Sequence, residues 1–166
     1  MHLDHGSIGN GRILALVASD TSVDWLCLPR FDSPSFFGRL LDEQRGGTWR
    51  IEVSEGRETR QAYQRNTNVL VTRITADDGV LDVVDFAPWI DRGYQMDAPV
   101  QFVRLLVPVD GNPRIRITFA PACDYARQRP EFVMRTRAVE VRGHGCSVSL
   151  FSDIPVDYIL NGAAVR

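Results

Sequence analysis

Residues able to do chemistry crowd into one stretch, Asp24-Trp25-Leu26-Cys27-Leu28-Pro29-Arg30-Phe31-Asp32-Ser33-Pro34. A strand ends here, and Pro29 and Pro34 bracket Arg30, Phe31 and Asp32. Proline fixes the backbone, so the loop is expected to be stiff. Arginine and aspartate can bond sugar hydroxyls in pairs, and an aromatic ring offers an apolar face to a sugar. Trp25, Pro29, Arg30, Phe31 and Asp32 are therefore the candidates for facing a substrate. The same residues admit a structural reading. Arg30 and Asp32 can pair with each other or cap the next element, and Trp25 can be core. A second set of candidates is Trp49, Trp89 and Tyr94, taken as exposed aromatics on which a sugar could stack. Trp89-Ile90-Asp91-Arg92-Gly93-Tyr94 reads as a loop, where aromatics also serve packing.

Other chemistries find little support. Cys27, Cys123 and Cys146 are far apart and odd in number, with no CxxC pair, so they read as buried thiols in a reducing cytoplasm. His2 and His5 have helical spacing but fall in an expected frayed tail, and two ligands leave a zinc site incomplete. No metal or cofactor is expected. The glycines of Gly9-Asn10-Gly11-Arg12 are too few for a phosphate loop and read as a turn. All 19 cationic residues are Arg, set against 21 acidic ones, for a net charge of −2. The two signs are interspersed, which excludes the basic stripe of a nucleic-acid binder. No apolar run approaches the length of a membrane span, and the first residues lack a secretory pattern, so a cytoplasmic location is expected.

The elements that would position these residues read as strands. The 166 residues fit one domain. Asn68–Thr75 and Val80–Phe86 flank Asp78-Gly79, a hairpin signal. Asp82 and Asp85 are an odd number apart and cannot share one face of a regular strand. One of them must lie at a strand end or bulge, or be buried with a partner. A second hairpin is expected between Val100–Val109 and Arg114–Phe119, with Ile115, Ile117 and Phe119 inward. A third joins Ala138–Arg142 to Cys146–Phe151. Ile13–Val17 and Ser22–Leu28 flank Ser19-Asp20-Thr21, and Trp49–Val53 alternates. One short helix is expected near residues 34–42, from Ser33-Pro34 and the spacing of Phe36, Phe37, Leu40 and Leu41. Many short strands predict an all-β antiparallel sandwich. Val156–Leu160 reads as a strand, and Asn161-Gly162 as a turn into another at Ala163–Arg166. A hairpin opened and cut short predicts a sandwich truncated before its last strands. Its unpaired edge predicts self-association into a homo-oligomer.

Several tracts together resemble the N-terminal domain of bacterial glycoside hydrolase family 15 proteins, the glucoamylase-like and trehalase-like enzymes. They are Ile8–Arg12, Asp20–Pro34, Phe36–Leu41, Tyr63–Leu70, Asp82–Pro88 and Pro121–Tyr125. Asn10 stands where that family often has Asp, and Ala126 where Gly is common. The resemblance implies a β-sandwich of the supersandwich type, followed in full-length proteins by an (α/α)6 barrel. It implies an inverting mechanism whose general acid and base glutamates lie in that barrel. Glu43, Glu52, Glu55, Glu58, Glu131 and Glu140 match no catalytic motif of the family, so no catalytic residue is assigned. The expectation is a single non-catalytic domain over 1–166, inactive alone. Its enzyme would cleave α-glucosidic bonds in trehalose or maltooligosaccharides. Its partner would be the barrel of the same polypeptide, towards which the Trp25 to Asp32 set would face. The alternative is a stand-alone carbohydrate-binding sandwich. Neither nucleic acid nor membrane is an expected partner.

Overall fold

The computed structural model describes residues 4–143, 146–161 and 164–165, with the backbone alone described at 146, 164 and 165. The first sheet has the order β1-β2-β3-β4. Its strands are β1 (His5–Gly9), β2 (Leu14–Ala18), β3 (Val23–Cys27) and β4 (Ser35–Phe37). In β2, Ala15 and Val17 point inward, and Leu14 and Leu16 lie on the wetter face. Leu16 faces Trp25 but Val17 faces Val23, so β3 carries one extra residue, Asp24. This bulge places Asp24 beside Trp25 on the outer face of the sheet, within reach of His5.

Three short stretches depart from the expected elements. His5 belongs to strand β1 rather than to a frayed tail, because Gly6 and Ile8 are buried and every residue of β1 pairs with β2. His2 lies outside the described residues. The helix expected near 34–42 does not form. Ser35, Phe36 and Phe37 are all buried in a terminal strand that pairs with β3 around an extra residue, Phe36, whose carbonyl is met by the Ala122 N–H. After it the chain turns, with Gly38 donating to the Gly46 carbonyl and Asp42 Oδ1 accepting from Gln44 and Arg45. Leu41, assigned to the apolar face of that helix, is exposed.

The second sheet runs β11-β8-β7-β6, from β6 (Gly56–Tyr63), β7 (Leu70–Ala76), β8 (Gly79–Phe86) and β11 (Val103–Gly111). The β7–β8 hairpin forms as the sequence indicates, Ala76 facing Gly79. Gly79 has φ of +155°, and a Cβ there would collide with the Asp110 carbonyl. Asp82 and Asp85 do take opposite faces. Asp82 meets its cross-strand neighbour Arg73 on the outside, and Asp85 is buried. Between these strands β9 (Ile90–Asp91) and β10 (Met96–Asp97) make a small ribbon.

The expected pairing of 100–109 with 114–119 is not made. β11 pairs with β8, whereas β12 (Ile115–Ala120) pairs with β5 (Thr48–Val53) and β16 (Ala164–Val165). The Asp110–Pro113 turn carries the chain from one layer to another instead of folding it back on itself. Inward placement of Ile115, Ile117 and Phe119 holds. β13 (Glu131–Met134), β14 (Ala138–Gly143) and β15 (Cys146–Phe151) form the last sheet, with the expected β14–β15 hairpin. Val156–Leu160 is a short helix, α2, rather than a strand. One turn of helix buries Ile159 while leaving Tyr158 in water, which the spacing of apolar residues also allows. Inner residues of the four larger sheets, such as Val17, Leu81, Phe119 and Val141, join one core.

Candidate functional site

Three loops meet at one end of the first sheet. The turn Gly9–Ile13 is organised by Asn10, which is 2% exposed. Its Oδ1 accepts from the N–H groups of Arg12 and Ile13, and its Nδ2 donates to the carbonyls of Pro88 and Pro99, at 3.1 and 2.8 Å. One amide thus shapes its own turn and ties both ends of the 88–99 loop to it. Gly11, at φ +82°, turns beneath Trp89, which a Cβ there would meet at 3.9 Å. On the other side, the Phe31 N–H donates to the Arg12 carbonyl at 3.0 Å. One residue from each set singled out from the sequence, Phe31 and Trp89, therefore flanks the Asn10 turn.

Within this rim Arg30 and Asp32 hold each other by two hydrogen bonds of 2.8 Å. Those bonds keep the Asp32 carboxyl below its ordinary range and the Arg30 guanidinium above it. Ser33 Oγ accepts from the Arg30 N–H. The fork is occupied by an internal partner, as the structural reading of this loop has it. The rings, by contrast, face water: Phe31 is 61%, Trp89 54% and Tyr94 91% exposed. Pro29, which follows a cis bond from Leu28, borders a cleft described below. Burial raises the Cys27 thiol beneath this loop, and the charge of Asp32 adds to the effect.

One aromatic is placed otherwise than expected. Trp49 is not an exposed stacking platform. It packs edge-on against Phe102 and Phe119 at 6.0 and 5.5 Å, with Arg104 over its ring. Trp25 is half-buried on the outer face, 6.4 Å from Tyr125. Tyr125 comes from the turn α1 (Cys123–Ala126), where Asp124, Tyr125 and Ala126 have φ of +51°, +55° and +62°. Such a left-handed run of L-residues is strained. It presents Tyr125 between Trp25 and the Arg127 guanidinium.

Polar networks elsewhere are structural in kind. Asp24 receives Arg39 through Oδ1 and Oδ2 at 3.0 and 3.1 Å and lies 3.0 Å from His5 Nε2. Asp20 accepts from the Ser22 hydroxyl and amide. Burial would raise its pKa, but those bonds and the charges of Arg50 and Arg39 outweigh it and lower it. Asp85 is fully buried against Arg104, which also donates to the carbonyls of Trp49 and Thr21. Cys27 and Cys123 are buried. Among the described residues no group of His, Cys, Asp and Glu is arranged to hold a metal, and no helix is long and apolar enough to cross a membrane.

Sequence reasoning passed over Asn10 and Arg104. The Asn10-Gly11 doublet signals a turn but not that the amide reaches the stem of another loop. For Arg104 the signal was present in Asp85, an acid on the apolar face of a strand that demanded a cation.

Comparison with known proteins gives a consistent picture. The family model described as trehalase-like, N-terminal matches residues 4–161. The chain is 36% identical to a trehalase of Thermoplasma volcanium over 129 residues, 76% of this chain and 20% of that protein. It is 32% identical to trehalase 1 of Sulfolobus acidocaldarius over 157 residues, 93% of this chain and 26% of that one. A trehalase of Mycolicibacterium smegmatis is 30% identical over 75% of the chain and 20% of its own length. The chain thus spans about a fifth to a quarter of these relatives. No solved structure matches it.

Proposed function

Since this chain belongs to the trehalase-like N-terminal family, we propose that it is the non-catalytic module of a glycoside hydrolase acting on trehalose or a maltooligosaccharide. The observation that carries this reading is the family match over residues 4–161 together with relatives that are named trehalases. The chemistry of the module agrees with it. Its buried carboxylates, Asp24 and Asp85, are each engaged by an arginine within the fold. The acid and base that cleave the bond would come from the polypeptide beyond this module, standing far enough apart to admit a water and so inverting the anomeric carbon. The rim of Pro29, Arg30, Phe31 and Asp32, joined to Trp89 through the Asn10 turn, is the part offered to that catalytic body.

Glucose release from trehalose and from maltose by the purified chain tests the reading. No release above a buffer blank is expected; turnover by the chain alone overturns it. In a full-length enzyme carrying this module, proton NMR of trehalose hydrolysis should first show β- and α-glucose in equal amounts, the β-anomer from the inverted centre and the α-anomer from the leaving sugar.

One observation favours a second reading, in which the domain binds carbohydrate by itself. Phe31 and Trp89 flank the Asn10 turn with their rings in water, an arrangement suited to stacking on sugar faces. Titration with glucose, maltose and trehalose, followed by Trp89 emission, separates the two. A saturable change supports independent binding, and a flat response to millimolar sugar leaves the first reading.

A further inference from the structure

An apolar cleft of about 1200 Å³ enters the sandwich between β11 and β15. Its floor is core: Phe36, Phe37, Ile117 and Phe119. Protein interiors normally leave voids scarcely larger than a water. An apolar opening of this volume inside a sandwich is therefore a place for something else, and two features indicate its nature. β11 is the terminal strand of its sheet and β15 of its own. Each thus presents a row of backbone N–H and C=O groups with no strand partner among the described residues. The apolar side chains along the two strands also stand in water, with Leu105 48% and Phe151 74% exposed.

A small apolar molecule could cover the floor but would leave both rows of backbone groups unpaired. An extended polypeptide answers both needs, with main-chain bonds to the edges and alternate side chains against the floor. The relatives supply a source, since about three quarters to four fifths of each lies outside the matched stretch. We infer that the cleft is a strand-acceptor site, filled by an extended, alternately apolar segment from the part of the same hydrolase outside residues 1–166. This rests on the reading given under Proposed function. The inserted strand would join the β8–β11 layer to the β14–β15 layer and remove both exposed edges at once.

The probe is a set of labelled peptides of about ten residues, a common strand length, tiling the part of the Thermoplasma volcanium trehalase outside the match. A Thr-Val repeat of equal length is the control. Binding is followed by fluorescence polarisation, and edge protection by hydrogen exchange of the 166-residue chain. A few tiles should bind and slow exchange within 103–107 and 147–151 by about tenfold or more. Leu105→Glu and Phe151→Arg, at exposed positions, should weaken that binding about tenfold while leaving Tm unchanged, as expected of surface changes. The proposal is overturned if no tile binds, or if tiles bind while both edges exchange as before. Equal binding of the Thr-Val control overturns the assigned occupant, and so does a dimer in light scattering whose edges are protected without peptide. These outcomes are separate from glucose release by the chain alone, which bears on the hydrolase reading and not on whether the cleft takes a strand.

Discussion

Arg104 and Asp85 face each other on adjacent strands, Nε to Oδ1 at 2.8 Å and Nη2 to Oδ2 at 3.0 Å, with both side chains withdrawn from water. The remaining guanidinium donors reach the carbonyls of Trp49 and Thr21. Thr21 in turn exchanges two hydrogen bonds with Ile51 through its hydroxyl. This pair therefore fastens the second sheet to β5 and to the β2–β3 turn. Breaking one partner of such a pair leaves an uncompensated charge. Arg104→Met should cost about 3–5 kcal/mol, and Arg104→Met with Asp85→Leu should recover much of that loss. Urea denaturation of the two single variants and the double variant measures the coupling. Additive losses would show that the pair does not act as a unit.

Asn10 holds the candidate rim together. Asn10→Ala leaves four backbone groups without their partner, and roughly 3 kcal/mol should be lost. The distinguishing readout is local: exchange across residues 88–99 should quicken more than in β7 and β8, and Trp89 emission should change. A uniform loss of protection would instead mark Asn10 as an ordinary contributor to the core.

Ala126 sits at φ +62° at the end of the left-handed turn. Glycine adopts that conformation without the Cβ penalty but gains freedom in the unfolded chain. Ala126→Gly should therefore stabilise by a net of roughly 0.5–1 kcal/mol, seen as a higher Tm. A lower Tm would mean that the methyl group packs where the backbone geometry suggests only strain.

Glu140 receives hydrogen bonds from Arg142, Arg135 and Ser147, which lower its pKa from 4.5 to about 2. In the unfolded chain it titrates at an ordinary carboxylate value. Its contribution to stability is thus fully present above that value and lost as the pH falls towards 2. The Tm difference between the natural chain and Glu140→Gln should be constant near neutrality and shrink between about pH 5 and pH 2. A difference that persists unchanged at pH 2 would assign it to packing.

Alternation and turn doublets made the β7–β8 and β14–β15 hairpins readable, and they also gave the inward face of β12. They gave no hint that Val103–Gly111 would turn away from its sequence neighbour, because partner choice between layers depends on long-range burial. The stretch 34–42 misled for a related reason. Phe36 and Phe37 satisfy a helical spacing, yet with a third buried neighbour, Ser35, they form a strand bulged at Phe36. At the site, the residue types from Pro29 to Asp32 were legible, and so was the option that Arg30 and Asp32 pair with each other. Their nearness to Trp89 was not, since it passes through one amide of Asn10 to two carbonyls far along the chain.

The extra residue at Asp24 has a further bearing on how this domain tolerates change. Asp24 and Trp25 oppose the single residue Leu16, so their side chains share the outer face while Val23 and Leu26 on either side stay in the core. Removing Asp24 would restore an unbulged ladder with that inward set intact. What would be lost is the acid shared by His5 and Arg39. The extra residue thus serves the outer face alone, and deleting it should cost the fold much the same as Asp24→Ala.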